Sequence, residues 1–228
     1  ASHWMGNSAE VVKTTLVQRN PAHPTGDAKA DFRYNSAPKI LRSVARVREG
    51  PPPLSNAQDM TIENRIAGAL AGMVLGDALG VPGELWPREK VRARFGHIDT
   101  FLDGPEDNIV ACYFKAGHYT DDSAQAFVIL KALLKAGTVP PVKVLADDLI
   151  AWVESMNGFE INLLGPSSKA SLLAHSRGED YTKYTKLSLT NGAGMRIAPV
   201  GCLVDWNDSE KLAETVARVS IVTHGTDV

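Results

Sequence analysis

The residues with the clearest chemical potential are Thr120, Asp121 and Asp122, which stand directly before the apolar run Ala124 to Leu134. One hydroxyl and two carboxylates in consecutive positions supply three hard oxygen ligands, the kind that Mg²⁺ and Ca²⁺ prefer. An ordinary helix start has the same composition, because threonine is a good N-cap and the helix dipole favours acidic residues in the first turn. Taken alone, the three residues indicate a helix start more strongly than a cation site.

Composition restricts the classes of partner. The 228 residues are 44% hydrophobic and suffice for one sizeable core. A net charge of -2 from 24 basic and 26 acidic side chains gives no broad positive field for nucleic acid or anionic lipid. The longest apolar stretch, Ile66 to Leu75, is about half the roughly 20 residues of a membrane-spanning helix. We therefore expect neither nucleic acid nor a membrane as a partner.

The two cysteines of the chain indicate the cellular compartment in which the protein is expected. Cys112 and Cys202 are too far apart in sequence for a disulfide framework or a closed zinc site. They are interpreted as reduced, packed thiols, and the protein is expected to be cytoplasmic. Export to a host cell through the N-terminal segment stays open.

The chain is predicted to consist of an arm and a globular domain. Residues 1–58 are polar and rich in proline, which predicts an irregular N-terminal arm. Its first residues, Ala1 to Trp4, precede Met5 and are expected to be a cloning remnant. The globular domain is expected to span residues 59–228.

Helical signals follow one another from residue 61 onward. The predicted helices cover Thr61 to Leu79, Thr120 to Ala136, Pro141 to Met156, Ser167 to Arg177 and the region around Gly194 to Val204. A last helix is predicted from Asn207, whose spacing to Glu210 suits a capping box. One segment, Ile109 to Phe114, favours a short strand. The predicted fold class is all-α.

The first predicted helix carries a glycine at every fourth position. Gly68, Gly72, Gly76 and Gly80 therefore share one face. Each costs roughly 0.5–1 kcal/mol relative to alanine, so close approach of another backbone or of a ligand is expected to offset the loss. Tight packing in a helical core would explain the same pattern.

Four segments in a fixed order carry a family resemblance. They are Gly76 to Glu84, Tyr119 to Ser123, Asn191 to Arg196 and Thr223 to Gly225, with a weaker fifth match at Gly165 to Ser168. In this order they resemble the ADP-ribosylglycohydrolase family. The resemblance implies an all-α, orthogonal multi-helix domain with two Mg²⁺ ions in a cleft. It also implies an enzyme that removes ADP-ribose from a modified protein side chain or a related conjugate.

The resemblance assigns roles to the acidic residues. Breaking the bond at the anomeric carbon of ribose builds positive charge on the sugar, so aligned oxygens, a water molecule and a proton-transferring carboxylate assist it. Thr120, Asp121 and Asp122 would bind the metal pair, which would hold ribose hydroxyls and orient water. Glu84 would be the mobile carboxylate near the scissile bond. The expected catalytic residues are therefore Glu84, Asp121 and Asp122.

Ligand-binding roles are expected in two glycine-containing segments. Asn191, Gly192 and Gly194 would expose backbone amides ahead of a helix, which suits the diphosphate or the adenosine end of ADP-ribose. An ordinary turn between helices would fit the same residues. Gly165 and Ser167 are expected to contact the ligand by resemblance, whereas by itself Ser167 is better explained as an N-cap.

Two further ligand-binding candidates are Arg196 and His224. Arg196 offers a guanidinium fork to phosphate, and an ion pair within the protein is an equal alternative. His224 matches the family's Thr-His pair near the cleft, and a histidine there also suits a helix C-terminus.

The resemblance is incomplete at the C-terminal end. The family's late Asp-x-Asp-Thr run, which completes both metal sites, has no counterpart in this sequence. Thr120, Asp121 and Asp122 supply at most half of one octahedral shell, so we expect one Mg²⁺ or none in this chain alone. A separate chain could supply the missing segment, or the chain could be a shortened homologue.

The leading hypothesis is a Mg²⁺-dependent hydrolase whose partner is ADP-ribose or an ADP-ribosylated protein. The alternatives are a catalytically inactive ADP-ribose-binding protein of the same fold and a purely structural helical protein.

Overall fold

The computed structural model describes residues 61–161, 163–205 and 207–226. Within these ranges the chain consists of helices and loops and contains no strand, so the all-α prediction is confirmed. The predicted arm, residues 1–58, lies outside the described residues. The chain divides into two compact units, and the boundary falls between Tyr119 and Thr120.

The first unit, described from residue 61 to 119, is built on one long helix. Helix α1 covers Ile62–Gly80 and continues as a 3₁₀ turn over Val81–Gly83. The Thr61 side chain caps α1 by accepting a hydrogen bond from the Asn64 amide at 3.3 Å. Helix α2 covers Arg88–Phe95. The buried residues of α1 recur every fourth position and form its apolar face: Ile66, Leu70, Val74 and Ala78.

The glycine face of α1 is open in the described part of the chain. A Cβ atom added to Gly68, Gly72, Gly76 or Gly80 would meet no other residue within 4 Å. The expected close approach of a second backbone is therefore not found among the described residues.

By length and composition, the segment Ile62–Gly83 is also apolar enough to cross a membrane. The core helix of a water-soluble protein can meet the same criterion, so this helix alone does not establish a membrane span.

The strand predicted over Ile109 to Phe114 is wrong. Asn108 is buried, and its side-chain oxygen accepts hydrogen bonds from the amides of Val110 at 3.0 Å and Ala111 at 2.9 Å. Those contacts fold the chain into a 3₁₀ turn over Ala111–Tyr113 instead of leaving the amides for a strand partner.

The second unit, described from residue 120 to 226, contains the remaining helices. They are α3 (Asp121–Ala136), α4 (Val142–Ser155), α5 (Pro166–Ser176), α6 (Thr182–Thr185), α7 (Ala198–Gly201) and α8 (Ser209–Ser220). A 3₁₀ turn over Gly194–Arg196 precedes α7. Helix α3 packs on α4, on this 3₁₀ turn and on α7. The turn at residue 194 is therefore held against the central helix.

Local signals explain where these helices begin and end. Thr120 caps α3, and Gly137 ends it with a left-handed φ of 68°. Helix α5 begins at Pro166, whose fixed φ suits a first helical position, so the interpretation of Ser167 as its N-cap is wrong. The region around Gly194 to Val204, predicted to be helical with a kink or break at Pro199, is two short pieces, and the break comes at Ile197, before the proline.

The prediction that the last helix starts at Asn207 is also wrong. The N-cap of α8 is Asp208, which accepts a hydrogen bond from the Lys211 amide at 3.0 Å. Asn207 instead bonds to the Asp205 carboxylate, at 3.0 Å from its backbone amide.

The cysteine prediction holds in part. Neither Cys112 nor Cys202 is in a disulfide, and Cys202 is buried. Cys112 is exposed, so its prediction as a packed thiol is wrong.

Candidate functional site

Helix α3 begins with the three oxygen-bearing residues that the sequence singles out. The Thr120 hydroxyl accepts a hydrogen bond from the Asp122 amide at 3.3 Å, which confirms the helix-start interpretation. Thr120 and Asp121 are buried, and Asp122 is half-buried. The N-cap bond uses one of the two lone pairs of the hydroxyl, so capping does not prevent Thr120 from also serving as a ligand.

A chain of hydrogen bonds leads from Asp121 into the protein. Asp121 Oδ2 accepts from Gln125 Nε2 at 2.8 Å, one helical turn further along α3. Gln125 Oε1 accepts from Arg196 Nη1 at 2.7 Å, and Arg196 Nη2 donates to Thr223 Oγ1 at 2.6 Å. Gln125, Arg196 and Thr223 are all 0% exposed. A buried cation is therefore linked through one amide to a buried carboxylate.

The same chain continues to the surface. His224 Nδ1 lies 2.8 Å from Thr223 Oγ1, and His224 Nε2 lies 2.9 Å from Thr190 Oγ1. Thr190 is exposed. We call these six residues, from Asp121 to Thr190, the polar chain. It connects the start of α3 with the loop before the 3₁₀ turn.

Burial sets the protonation of the two basic groups in the polar chain. It lowers the pKa of Arg196 to about 10, and the Asp121 carboxylate opposes that shift. Arg196 is therefore still a cation at neutral pH. Burial lowers the pKa of His224 to about 4, and the charge of Arg196 adds to the shift. His224 is therefore neutral at pH 7.

Arg196, which is predicted to contact the ligand, lies inside the protein, and its role toward a ligand stays a prediction. Its guanidinium is fully buried, and both terminal nitrogens bind protein groups, Gln125 and Thr223. Its Nε atom has no hydrogen-bond partner among the described residues. For the alternative prediction, an ion pair within the protein, the structure shows Arg196 linked to the Asp121 carboxylate through the Gln125 amide.

A groove of about 910 Å³ opens beside the exposed end of the polar chain. Three of the predicted ligand-binding residues line it: Asn191, Gly194 and His224. Other parts of the wall come from the apolar face of α8 and the residue after it. These contributions are Ala213, Val216, Ala217 and Ile221.

The other glycine candidates lie outside the groove lining. A Cβ added to Gly192 would come within 2.7 Å of His224 Cε1 and 2.9 Å of Ser168 Oγ. A glycine is therefore required to let the loop approach His224. Gly165 is exposed and Ser167 half-buried at the start of α5, and neither lines the groove.

Glu84 belongs to the first unit. It follows the 3₁₀ turn that ends α1, and its carbonyl oxygen accepts from Asn108 Nδ2 at 2.8 Å. The next residue, Leu85, has a φ of 56° and is 73% exposed. A left-handed leucine is unusual, so the Asn108 contact helps to fix the backbone that carries Glu84.

Sequence reasoning missed Gln125 and Thr190, and it included Ser168 in the weak fifth motif match without assigning it a role. Gln125 stands four residues after Asp121, and this spacing places both side chains on one helix face. The contact between them could therefore have been predicted from the sequence. Thr190 and Ser168 have no such signal, because they meet His224 and Gly192 through the tertiary fold.

The donor set at the start of α3 suits part of a magnesium shell. Its oxygens are of the kind that Mg²⁺ binds, and two of its members are carboxylates. Among the described residues, no group of three or more His, Cys, Asp or Glu side chains is placed to hold a metal. Thr120, Asp121 and Asp122 can therefore contribute to a metal site but do not complete one.

The order of the motifs and the helical fold agree with a family comparison. The model of the ADP-ribosylglycohydrolase family matches residues 58–228. The chain belongs to the ADP-ribosylglycohydrolase family. The resemblance seen in the sequence is therefore confirmed.

Relatives of this ADP-ribosylglycohydrolase chain come from several organisms. An uncharacterised Escherichia coli K12 protein, YegU, is 42% identical over 165 residues, which cover 72% of this chain and 49% of YegU. An uncharacterised Archaeoglobus fulgidus protein is 32% identical over 70% of this chain and 50% of its own length. The ADP-ribosylarginine hydrolase Tri1 of Pseudomonas putida GB-1 is 26% identical over 93% of this chain and 52% of Tri1.

A solved structure shows the same fold. A chain of an ADP-ribosylglycohydrolase-related protein complex matches 72% of this chain with a TM-score of 0.55 at 24% identity. The match covers 50% of that chain. The chain thus spans about half the length of the proteins it matches.

Proposed function

We propose that this chain contributes the working residues of a hydrolase that removes ADP-ribose from a modified side chain or related conjugate. The polar chain is the observation that carries the proposal. It joins three separate motif segments, those around Asp121, Arg196 and His224, into one buried hydrogen-bonded centre that ends at a groove. Family membership supports the same class of reaction.

The substrate would lie between the groove and the start of α3. Backbone amides near Asn191 and Gly194 suit the diphosphate, and the apolar wall of α8 suits the adenine ring. The N-terminus of α3 carries a partial positive charge, which stabilises the two carboxylates placed there. The scissile bond joins the anomeric carbon of the distal ribose to the acceptor atom.

Each acidic residue has a role in this proposal. Thr120, Asp121 and Asp122 would hold Mg²⁺, which when bound fixes ribose hydroxyls and orients the attacking water. Glu84 would move the proton, from the water or to the leaving acceptor, as the bond at the anomeric carbon breaks. Gln125 holds the Asp121 carboxylate in place by donating to Oδ2.

We also propose that a second chain or segment supplies the remaining ligands of the metal ion. The chain spans about half the length of its relatives, and the described residues offer two carboxylates at the start of α3. Arginine-linked ADP-ribose is the first substrate to try, because the Pseudomonas putida relative is named an ADP-ribosylarginine hydrolase.

The test is chromatographic measurement of ADP-ribose released from arginine- and serine-linked conjugates, with Mg²⁺ or with EDTA. Asp122→Asn is the informative variant, because Asp122 is half-buried and lies outside the polar chain. Asp147→Asn is a matched control, since Asp147 is exposed and pairs with Lys143 on the surface of α4. We expect release to need Mg²⁺ and to fall at least tenfold in Asp122→Asn alone. Equal rates in the two variants would rule out the proposed role.

A catalytically silent ADP-ribose-binding protein is the second candidate. The small number of carboxylates at the start of α3 favours it, because two cannot fill the shells of two ions. Calorimetric titration with ADP-ribose, run beside the release assay, separates the two functions. Saturable binding without release of ADP-ribose would support the binder, and binding with release would support the hydrolase.

A further inference from the structure

We infer that the surface beside Glu84 docks a segment of the ADP-ribosylated protein that carries both acidic and apolar side chains. We call this surface the docking face, and it consists of Leu85, Arg88, Arg92, Arg94 and Ile109. The identity of the partner rests on the proposed function. The argument for a docking surface rests on exposed charge and exposed apolar side chains within the first unit.

Helix α2 carries a local excess of positive charge. Its eight residues, Arg88–Phe95, include four cations and one carboxylate, and none of the eight is buried. Lys90 pairs with Asp107 at 3.3 Å. The other cations have no ion-pair partner in the part of the chain that the structure describes: Arg88, Arg92 and Arg94.

The placement of two of these arginines is unfavourable for the helix itself. Arg88 stands at the first helical position, where the positive end of the helix dipole repels a cation. Arg92 follows at the i+4 position, a spacing at which like charges repel each other. The dipole explains basic residues in the last turn of α2, but it does not explain Arg88. A carboxylate bound across Arg88 and Arg92 would remove the repulsion between them.

The docking face also carries two exposed aliphatic side chains. Leu85 is 73% exposed at a φ of 56°, a backbone region that leucine rarely adopts and that asparagine or glycine tolerates. It therefore neither contributes to the core nor suits the turn that it occupies, and such outliers cluster at functional sites. Ile109 is 67% exposed. Burial against an apolar side chain of a partner would offset both exposures.

Contacts in the first unit fix this surface beside Glu84. The Asn108 side chain donates to the Glu84 carbonyl oxygen at 2.8 Å, and each aliphatic residue of the docking face directly follows one residue of that pair. Helix α2 packs on the same turn through Val91, whose Cγ2 atom would lie 3.0 Å from a Cβ atom added to Gly83. A segment bound to the docking face would therefore lie next to the residue that we propose as the proton-transferring carboxylate.

The same cations would attract nucleic acid, but the neighbouring side chains favour a protein. Proteins that bind single-stranded nucleic acid stack bases on exposed aromatic rings. The Trp86 ring is instead covered by Lys90, whose Nζ atom lies 3.6 Å from the ring centre. Leu85 and Ile109 offer aliphatic surface, which suits an apolar side chain of a protein segment.

Fluorescence anisotropy with a labelled, unmodified peptide of alternating glutamate and leucine tests docking without hydrolysis. Arg88→Gln/Arg92→Gln removes two charges from the docking face. The matched control, Lys131→Gln/Lys135→Gln, removes two exposed cations at the same i,i+4 spacing from α3. Exposed charge pairs contribute modestly, so we expect the first variant to bind the peptide roughly three- to thirtyfold more weakly than the wild type. The control should stay within about twofold of the wild type.

Leu85→Asn tests the apolar part of the docking face. Asparagine accepts the left-handed backbone, so the substitution removes apolar surface without adding strain. Affinity for the glutamate–leucine peptide should fall about threefold or more. Affinity for a glutamate–glutamine peptide should not change, because that peptide has no apolar side chain to bury. An equal loss for both peptides would contradict the role of Leu85.

No saturable binding of the glutamate–leucine peptide by the wild type, or an equal loss in the two double variants, would overturn the inference. Tighter binding of an oligothymidylate of the same length would assign the surface to nucleic acid instead. A release assay with arginine-linked ADP-ribose, in the peptide and as the free amino acid, connects docking to turnover. The wild type should have the lower KM for the peptide, and Arg88→Gln/Arg92→Gln should lose this difference while keeping kcat. If the peptide binds through the docking face but no conjugate is hydrolysed, the hydrolase proposal fails while the docking surface stands.

Discussion

Replacing Arg196 by methionine removes a buried cation and leaves its partners in place. The variant loses two charge-assisted hydrogen bonds, of 2.7 Å to Gln125 and 2.6 Å to Thr223. Hydrogen bonds to a charged group contribute about 1.5–3 kcal/mol each. Removing one partner of a buried ionic network costs about 3–5 kcal/mol, because the other charge, here Asp121, stays buried. We therefore expect the free energy of unfolding to fall by about 3–5 kcal/mol.

Urea denaturation followed by circular dichroism measures this loss. With a slope of about 2 kcal/mol per molar urea, the midpoint should move down by roughly 2 M. Arg218→Met is the matched control, because Arg218 is exposed and donates one bond of 3.2 Å to the Val139 carbonyl oxygen. The control should lose less than about 1 kcal/mol. If Arg196→Met lost no more stability than the control, the buried hydrogen bonds of Arg196 would not stabilise the fold as we expect.

Three further substitutions test other parts of the structure. Gly104→Ala should lower Tm by several degrees because its Cβ would overlap the Ala111 carbonyl oxygen; Gly201→Ala, with open space around its Cβ, should have little effect. Gly192→Ala should weaken ADP-ribose binding in calorimetry by displacing His224; unchanged affinity would place the ligand elsewhere. The folded-state pKa of His224 lies below the unfolded value, so acidification from pH 6.5 to about 4 should lower the unfolding free energy by up to about 3 kcal/mol. In His224→Asn, denaturant titrations across that interval should show a smaller loss, and an identical loss would contradict the assignment.

Local signals in the sequence were sufficient to predict most of the helices. The Thr120 cap and the Gly137 stop mark α3 because capping depends on neighbouring residues. Helix α2, Arg88–Phe95, gave no apolar periodicity because none of its residues is buried, and it was not predicted. The β-like segment after Asn108 forms a turn because a buried side chain takes its amides, which shows how tertiary context overrides local propensity.

The candidate site could be predicted only in outline. The order of the motifs placed Asp121, Asn191 and His224 in one functional group. In the structure the polar chain links Asp121 to His224, and Asn191 and His224 both line the groove. The burial of Arg196 could not be predicted from the sequence, because its hydrogen-bond partners Gln125 and Thr223 stand 71 and 27 residues away. An arginine that could bind phosphate and one that donates to an amide and a hydroxyl in the core have the same appearance in a sequence.

The proposed role of Glu84, as the proton-transferring carboxylate in the cleavage of ADP-ribosyl conjugates, can be tested with one substitution. The most direct measurement is the rate of ADP-ribose release from an arginine-linked conjugate by the wild type and by Glu84→Gln, with ADP-ribose affinity measured on the same preparations. General acid–base catalysis contributes about a hundred- to ten-thousandfold, so we expect Glu84→Gln to lower the rate by that factor and to keep the affinity for ADP-ribose. A Glu84→Gln rate equal to that of the wild type, or no release by the wild type in the presence of Mg²⁺, would contradict it.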